Sequence, residues 1–501
     1  MSGAMRRSTV LSVAALRARH HDDLAHSDHV CAQAVALFIG TLEAHGMSPL
    51  YLPLLQTGAL VHNVGLEENQ ARHHTIGRDI VMAEGLRGFT PEETRVIACL
   101  VAFHRKTVRP EQEPLWRELA PDLQQVTLRL AAILRVADGL DWNYSQTSQV
   151  AWVRGRRRPR IYVRGAAKFI AQDVDRAIEK TDLWDAAMGR APRIVATAKP
   201  ARPWRPAAKP GQTLGTSAGI ILRGYLAQAI VWRDQVGLFD GIDARHDMRV
   251  ALRRFRFTLR LYRRIWTPEA YDALRAEVGW FGGLLGAVRD ADLMLRWLQE
   301  ARDEAPAALQ PRLDAICHDT ARRQRAALKR LVTELRGPRV DALLRQAGAW
   351  AQGENVAMRA PGRAEDLLAQ EVPRRLRRQA RRVFEGWGKG IGETEVERLH
   401  LLRIRCRQMR YAAEGWQEAL GGGRGQLARA LLAVQDALGD MHDADVRAAP
   451  WAGLPDQEVA TWLRERCAAD RALAWPSFQK AWPKLVRCLA PRRLNRVVGR
   501  R

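Results

Sequence analysis

His246, Arg249, Arg253 and Arg256 stand at i, i+3, i+7 and i+10, and His400, Arg403, Arg407 and Arg410 repeat those residues at that spacing 154 positions later. At about 100° per residue, each quartet falls within roughly an 80° arc of a helix. A guanidinium carries a planar fork of donors that grips phosphate oxygens in pairs and stays charged at physiological pH. A row of such groups one turn apart repels itself unless an anion neutralises it. The chemistry these residues can do is anion capture. The bland alternative is a solvated helix laced with its own salt bridges. Acids are few on these segments, however: Asp243 and Asp247 in the first, Glu393, Glu395 and Glu397 before the second, and Glu414 after it.

A second pair of blocks follows the quartets. Leu285-Gly286-x-x-Arg289-Asp290-x-Asp292 recurs as Leu438-Gly439-x-x-His442-Asp443-x-Asp445, offset by 153. A near-constant offset across two blocks marks an internal duplication. The helices that must position the quartets are amphipathic. In the first, Val250, Phe257, Leu261 and Ile265 form a separate apolar stripe, and Arg260 and Arg264 extend the basic face. Tyr262, Phe255 and Tyr411 are expected in the core. The aspartates of the second blocks either pair with arginines, fixing the guanidinium planes, or act as helix-start acids.

The chain has 501 residues and a net charge of +25. The charge is uneven: net +4 over 1–195, four basic and no acidic residues over 196–215, and net +17 over 216–501. A field of that size steers polyanions, so nucleic acid, polyphosphate and an acidic membrane surface are the partner classes to weigh. Six cysteines show no CxxC pair and no regular spacing, which excludes a disulfide frame or a cysteine zinc site and fits a reduced compartment. The N-terminal apolar run, 10–16, is short and followed by RARHHDD, so no cleaved signal is expected. No run approaches 18 apolar residues, so no membrane span is expected, and the cytoplasm is the expected location.

Residues 10–145 read as successive amphipathic helices at 29–45, 52–63, 74–86, 91–104 and 122–140. Residues 150–164 alternate apolar and polar around a basic turn at Gly155–Pro159, which predicts one hairpin. A helix over 168–188 follows. Four prolines between 200 and 210 predict a stiff basic linker over 196–215. The rest reads as helical to about 490, with breaks that include 353–362. The fold class expected is mainly all-α.

At the residues quoted, 216–490 resembles the CHAD family, the conserved histidine α-helical domain. The resemblance falls at both repeats: His246 to Arg256, Arg289-Asp290-x-Asp292, Leu399-His400 through Arg410-Tyr411, and Gln435-Asp436-x-Leu438-Gly439 through Asp445. It implies an all-helical pair of pseudo-symmetric bundles enclosing a basic surface that binds inorganic polyphosphate without catalysis. The contacts it implies are His246, Arg249, Arg253, Arg256, His400, Arg403, Arg407 and Arg410, with Arg260 and Arg289 added. Binding of this kind needs no cofactor. Sparse aromatics on the basic faces favour a bare phosphate chain over nucleic acid, whose readers interleave aromatics with cations.

The first 104 residues hold nine of the thirteen histidines. LLQTGALVHNVGL, HHTIGRDIV, VAFHRK and LAAILRVADGLDWNYSQ resemble the HD-type helical domain at the C-terminus of the exopolyphosphatase and guanosine-pentaphosphate phosphohydrolase family, over 10–195. The resemblance implies a divalent metal, Mg²⁺ or Mn²⁺, on His29, His62 and Asp138, whose bound water would attack a phosphoanhydride. The HD signature departs here, because the pair is His62-Asn63 and neutral Asn is a poor ligand for a hard cation. Nor does the chain show the phosphate-cradling Gly-rich loop of that family's phosphohydrolase domain. These departures lean against catalysis. His73, His74, His104 and Arg105 then line a groove or satisfy helix ends. Three functions are carried forward: a polyphosphate-binding protein, associated with polyphosphate granules; a metal-dependent phosphohydrolase of polyphosphate or phosphorylated nucleotides; and a nucleic-acid module.

Overall fold

The computed structural model describes residues 10–20, 23–155, 157–201, 204–233, 235–236, 241–353 and 361–498. The break expected at 353–362 lies almost wholly outside them. The chain divides into two compact units, 1–204 and 205–501.

The first unit is helical with one small sheet. Its helices begin where the sequence supplies caps. Asp23 accepts from the His26 amide to start Leu24–Gly40, and Thr90 with Glu93 forms a reciprocal capping box at Pro91–Phe103. With Leu52–Val61 and Pro121–Gly139 these helices bury a core that includes Leu37, Phe38, Leu55, Val61, Ile97, Leu100, Leu130 and Leu134. The expected hairpin is present: β1 (Gln149–Arg154) pairs antiparallel with β2 (Arg160–Arg164). A third strand not expected, β3 (Arg193–Ala196), pairs parallel to β2. The helix expected over 168–188 is two, Ile170–Glu179 and Asp182–Met188. A Cβ at Gly139 would stand 2.7 Å from the Ala177 backbone, so glycine is what lets the Ile170–Glu179 helix lie against the end of Pro121–Gly139. That packing carries Lys180 to Asp138.

The second unit is all-helical and built twice. Leu214–Val231, Ile242–Leu261 and Pro268–Glu304 in the first repeat correspond to Leu368–Arg381 with the π turn Arg382–Gly388, Val396–Gly415 and Arg424–Ala448 in the second. The repeats meet about a pseudo-two-fold axis, because residues 154 apart touch each other. The Leu214 amide donates to Asp366 O and the Leu368 amide to Gln212 O, both at 2.9 Å. Phe257 meets Tyr411 edge-on at 5.7 Å, and Tyr262 meets Trp416 at 6.3 Å. Trp416 Nε1 donates to the Tyr262 hydroxyl at 2.8 Å and Ser217 Oγ donates to it at 2.9 Å, so no polar atom of this buried cluster is left bare.

The apolar stripe expected on the first arginine helix is displaced. Met248, Ala251, Leu252, Phe255 and Leu259 are buried, with Tyr262 just beyond, whereas Val250, Phe257 and Leu261 are half-buried. Periodicity gives one inward face, but this helix is covered on two sides, and Phe257 serves the second. Leu214–Val231 is long and apolar enough to cross a bilayer by length and composition, although no such run was expected; 61% of it is buried inside the protein. The six cysteines are free.

Candidate functional site

The pseudo-two-fold brings the two arginine helices, Ile242–Leu261 and Val396–Gly415, into contact with each other. Arg253 Nε donates across the axis to the Tyr411 hydroxyl at 3.0 Å. The counterpart of Tyr411 is Phe257, which has no hydroxyl, so Arg407 lacks the equivalent bond. Burial first, and then the nearby cations Arg253, Arg403 and Arg249, push the Arg407 guanidinium down to about 10. Burial with Arg253 and Arg249 lowers Arg403, against the pull of Asp443. Burial with Arg296 and Arg249 lowers Arg289. Arg249 and Arg253 on one helix thus oppose the charges of Arg403 and Arg407 on the other. Among the described residues Arg407 makes no ion pair, unlike Arg249 and Arg403.

The repeated Leu-Gly pairs have a role that spacing alone did not disclose. A Cβ at Gly286 would stand 3.7 Å from Arg249 Cζ, one at Gly439 would stand 3.9 Å from Arg403 Nε, and one at Gly279 would stand 3.5 Å from Arg256 Cζ. The guanidinium groups pack against bare backbone of the neighbouring helix. The aspartates pair with arginines. Arg249 holds Asp290 at 2.8 Å, Arg403 holds Asp443 at 3.7 Å and Arg471 holds Asp445 at 2.8 Å. Arg245 holds Asp292 at 3.1 Å with both side chains buried, and Gln324 takes the other Asp292 oxygen at 2.7 Å.

The histidines differ between the repeats. His400 Nδ1 lies 3.1 Å from His442 Nδ1, whereas His246, exposed, has Arg289 at the position equivalent to His442. Burial and then Arg403 lower His400 and His442; burial and then Arg289 lower His246. Arg256 and Arg260 are exposed on the first helix. Arg410, the sequence counterpart of Arg256, turns inward: it is buried, with Nη1 on Glu414 at 2.9 Å and Nε on Gln435 at 3.0 Å. Glu414 also takes Arg254 at 3.2 Å and Arg205 at 3.0 Å. A glutamate four residues after Arg410 was the available sequence signal.

In the first unit the histidine nitrogens and carboxylate oxygen that converge belong to His26, His62 and Asp138, within 4.8 Å of one another. His29, expected in this set, is elsewhere: its Nε2 lies 2.8 Å from the Ser148 carbonyl. His26 lies one turn before His29 on the same helix and takes its place. His62 Nδ1 donates to the Ala59 carbonyl at 2.7 Å, which turns its Nε2 toward Asp138 Oδ1 at 3.6 Å. His26 Nε2 lies 3.4 Å from the same oxygen. Both Nε2 atoms are buried without a hydrogen-bond partner, and two imidazole nitrogens with one carboxylate oxygen suit a single divalent ion.

The surroundings supply competing cations. Lys180 Nζ sits on Asp138 Oδ2. Burial disfavours a charge on His26, but the Asp138 and Asp141 carboxylates beside it outweigh that and hold this imidazole at about 9. Tyr144 stacks on it at 4.2 Å. Asn63 is buried beside this group and supplies no charge. His73 and His104 form a hydrogen-bonded pair next to this group, with His104 edge-on to His62 at 5.1 Å. Arg105 donates to His73 Nδ1 at 2.9 Å, His73 Nε2 meets His104 Nε2 at 3.0 Å, and His104 Nδ1 donates to the Val101 carbonyl at 2.6 Å. Burial drives His73 down to about 4 and His104 well below its usual range, so both are neutral.

Residues 220–451 match the CHAD domain, and residues 5–156 match domain III of the Ppx/GppA phosphatases. Two uncharacterized proteins of Mycobacterium tuberculosis, from strains CDC 1551 / Oshkosh and H37Rv, are each 26% identical over 228 residues, which is 44% of this chain and 42% of theirs. The match therefore spans less than half the length of those relatives. The CHAD domain from the plant Ricinus communis superposes with a TM-score of 0.46 at 22% identity, over 57% of this chain and 96% of that one. PptA from Streptomyces chartreusis gives 0.42 at 20% identity, over 54% and 99%. The chain thus joins a CHAD domain to a Ppx/GppA domain III.

Proposed function

We propose that this protein binds inorganic polyphosphate through the paired arginine rows of its CHAD domain. The observation that carries the reading is the meeting of the two rows: Arg253 reaches Tyr411 across the axis, and Arg249 and Arg253 oppose the charges of Arg403 and Arg407. A flexible chain with a charge on every unit threads such a row and neutralises it. Aromatics near the rows are committed elsewhere: Phe255, Tyr262 and Tyr411 are buried, which leaves little platform for stacked bases. The test is titration of the full chain with long-chain polyphosphate, repeated with Arg249, Arg253, Arg403 and Arg407 changed to alanine. The reading expects binding by the parent and its loss in the variant. Equal affinity in both sinks it, and displacement of polyphosphate by RNA at equal phosphate concentration makes nucleic acid the preferred ligand.

The histidines give a pH signature. His246, His400 and His442 are held below their ordinary values by burial and by arginine charge, so they are neutral in the free protein at pH 7. A bound polyanion reverses that field and raises them. Protons are then taken up on binding, and affinity rises as pH falls through the range in which the bound imidazoles titrate. His400→Gln with His442→Gln flattens the profile between about pH 5.5 and 7.5 if these two carry it.

A second reading is favoured by the convergence of His26, His62 and Asp138: metal-assisted hydrolysis of a phosphoanhydride in the Ppx/GppA-like domain. These three residues would hold one Mg²⁺ or Mn²⁺, which when bound supplies an activated water. His62 Nδ1–H on Ala59 O fixes the ligand tautomer, and Lys180 neutralises the remaining Asp138 oxygen. The reading expects divalent-dependent phosphate release that vanishes in His62→Ala and rises in Asn63→Asp. No release with any divalent metal rejects it.

A further inference from the structure

The two sides of the arginine site are not electrostatic equals, although the duplication made them from one sequence. At the 154-residue offset, Arg260 corresponds to Glu414 and Arg264 to Glu418. Arg378 corresponds to Gly224, Arg382 to Gln228 and Arg405 to Ala251. One side of the axis is closed by Glu414, which gathers Arg205, Arg254 and Arg410. The other side carries arginines at every one of these positions.

Geometry draws those arginines together. Arg375 Nη1 donates to the Leu261 carbonyl at 2.6 Å and pins the helix Leu368–Arg381 to the end of the first arginine helix. Its charge is spent on Glu371 at 2.9 Å. Arg378 and Arg382 follow Arg375 by one and two turns on the same face. Arg264 follows Leu261 in the turn Arg263–Ile265. Arg382 opens the π turn Arg382–Gly388, a local geometry frequent at functional sites. Arg405 Nε is buried without a partner. The cations also act on one another: burial, then Arg382 and Arg264, lower Arg378; burial, then Arg260 and Arg382, lower Arg405. A cluster of arginines gathered at one end of the first arginine helix, with Arg405 Nε buried and bare and no counterpart in the other repeat, suits an anion.

We propose that Arg264, Arg378, Arg382 and Arg405 form a second phosphate-binding segment, continuous with the quartets through Arg260, so that a polyphosphate chain leaves the central rows on this side only. The inference rests on the reading of the quartets as a polyphosphate site and adds its extent and direction. It makes the protein selective for chain length: a short chain fills the quartets alone, and a long one reaches the second segment.

The test compares inorganic triphosphate with long-chain polyphosphate on the full chain. In one variant Arg264, Arg378, Arg382 and Arg405 become glutamine; in a second, only the exposed Arg264 and Arg382 do, which keeps the test open if the first variant misfolds. Expected are triphosphate affinity within about twofold of the parent and long-chain affinity lowered about tenfold or more. The slope of log affinity against log salt should also become shallower by about 0.7 for each phosphate no longer neutralised. An unchanged long-chain affinity in both variants overturns the second segment while leaving the quartets in place. Equal weakening for both ligands overturns it as well, because the cluster would then support the whole site instead of extending it. Failure of the parent protein to bind either ligand removes the underlying reading and this inference together.

Discussion

Changing Arg253 and Arg407 to glutamine lowers the affinity for long-chain polyphosphate by roughly 100-fold or more, and the Arg407 change alone leaves the free protein no less stable. Each desolvated guanidinium that meets a phosphate contributes about 1.5–3 kcal/mol as a charge-assisted hydrogen bond. Removing two of them amounts to about 3–6 kcal/mol, or roughly two to four decades of affinity. The stability half of the prediction separates this account from a structural one. Arg407 is crowded by Arg253, Arg403 and Arg249 and makes no ion pair among the described residues. Removing its charge relieves repulsion in the free protein. Arg407→Gln alone should therefore melt at the same temperature as the parent or above it while binding more weakly. A lower melting temperature with unchanged affinity would show that Arg407 holds the fold and not the ligand.

Glu414→Ala should have the largest effect on stability. Glu414 is 6% exposed and accepts from Arg410 and Arg254, with Arg205 also in reach. Its removal leaves cations buried without a counter-charge, which costs about 3–5 kcal/mol when one partner of a buried pair is taken away. For a unit the length of 205–501 that is a fall in melting temperature of roughly 5–8 °C. Glu414→Gln retains hydrogen-bond acceptance at one atom and should fall between parent and alanine. Thermal melts of the three proteins at one salt concentration decide the matter, and an alanine variant that melts with the parent would mean that Arg254 and Arg410 find water or other acceptors instead. Asp292, buried between Arg245 and Gln324, belongs to the same class.

What the sequence disclosed and what it withheld follow from the range of the interactions involved. The quartets, their basic faces and the β1–β2 hairpin are written in local periodicity and turn chemistry, and they are legible. The pseudo-two-fold is not, because it rests on pairs such as Phe257 with Tyr411 and Tyr262 with Trp416, residues 154 apart. Their equal offset is visible; their meeting is not. His26 and His29 lie one turn apart on one helix, so spacing alone does not say which faces Asp138. The choice is made by Asp141, which holds His26, and by the Ser148 carbonyl, which holds His29. Arg410 looks like Arg256 in the repeat, but Glu414 and Gln435 turn it inward. β3 is four residues long and pairs with a strand already placed, which is too little text for a pattern.

The most direct test of the paired-row site is its stoichiometry. Calorimetric titration of the full chain with polyphosphate of defined short length should give one chain bound per protein, with Arg253→Gln and Arg407→Gln each weakening that single event and the two effects departing from additivity, as neighbours sharing one ligand do. Two independent binding events per protein, with each substitution abolishing one and sparing the other, would contradict a single site between the rows.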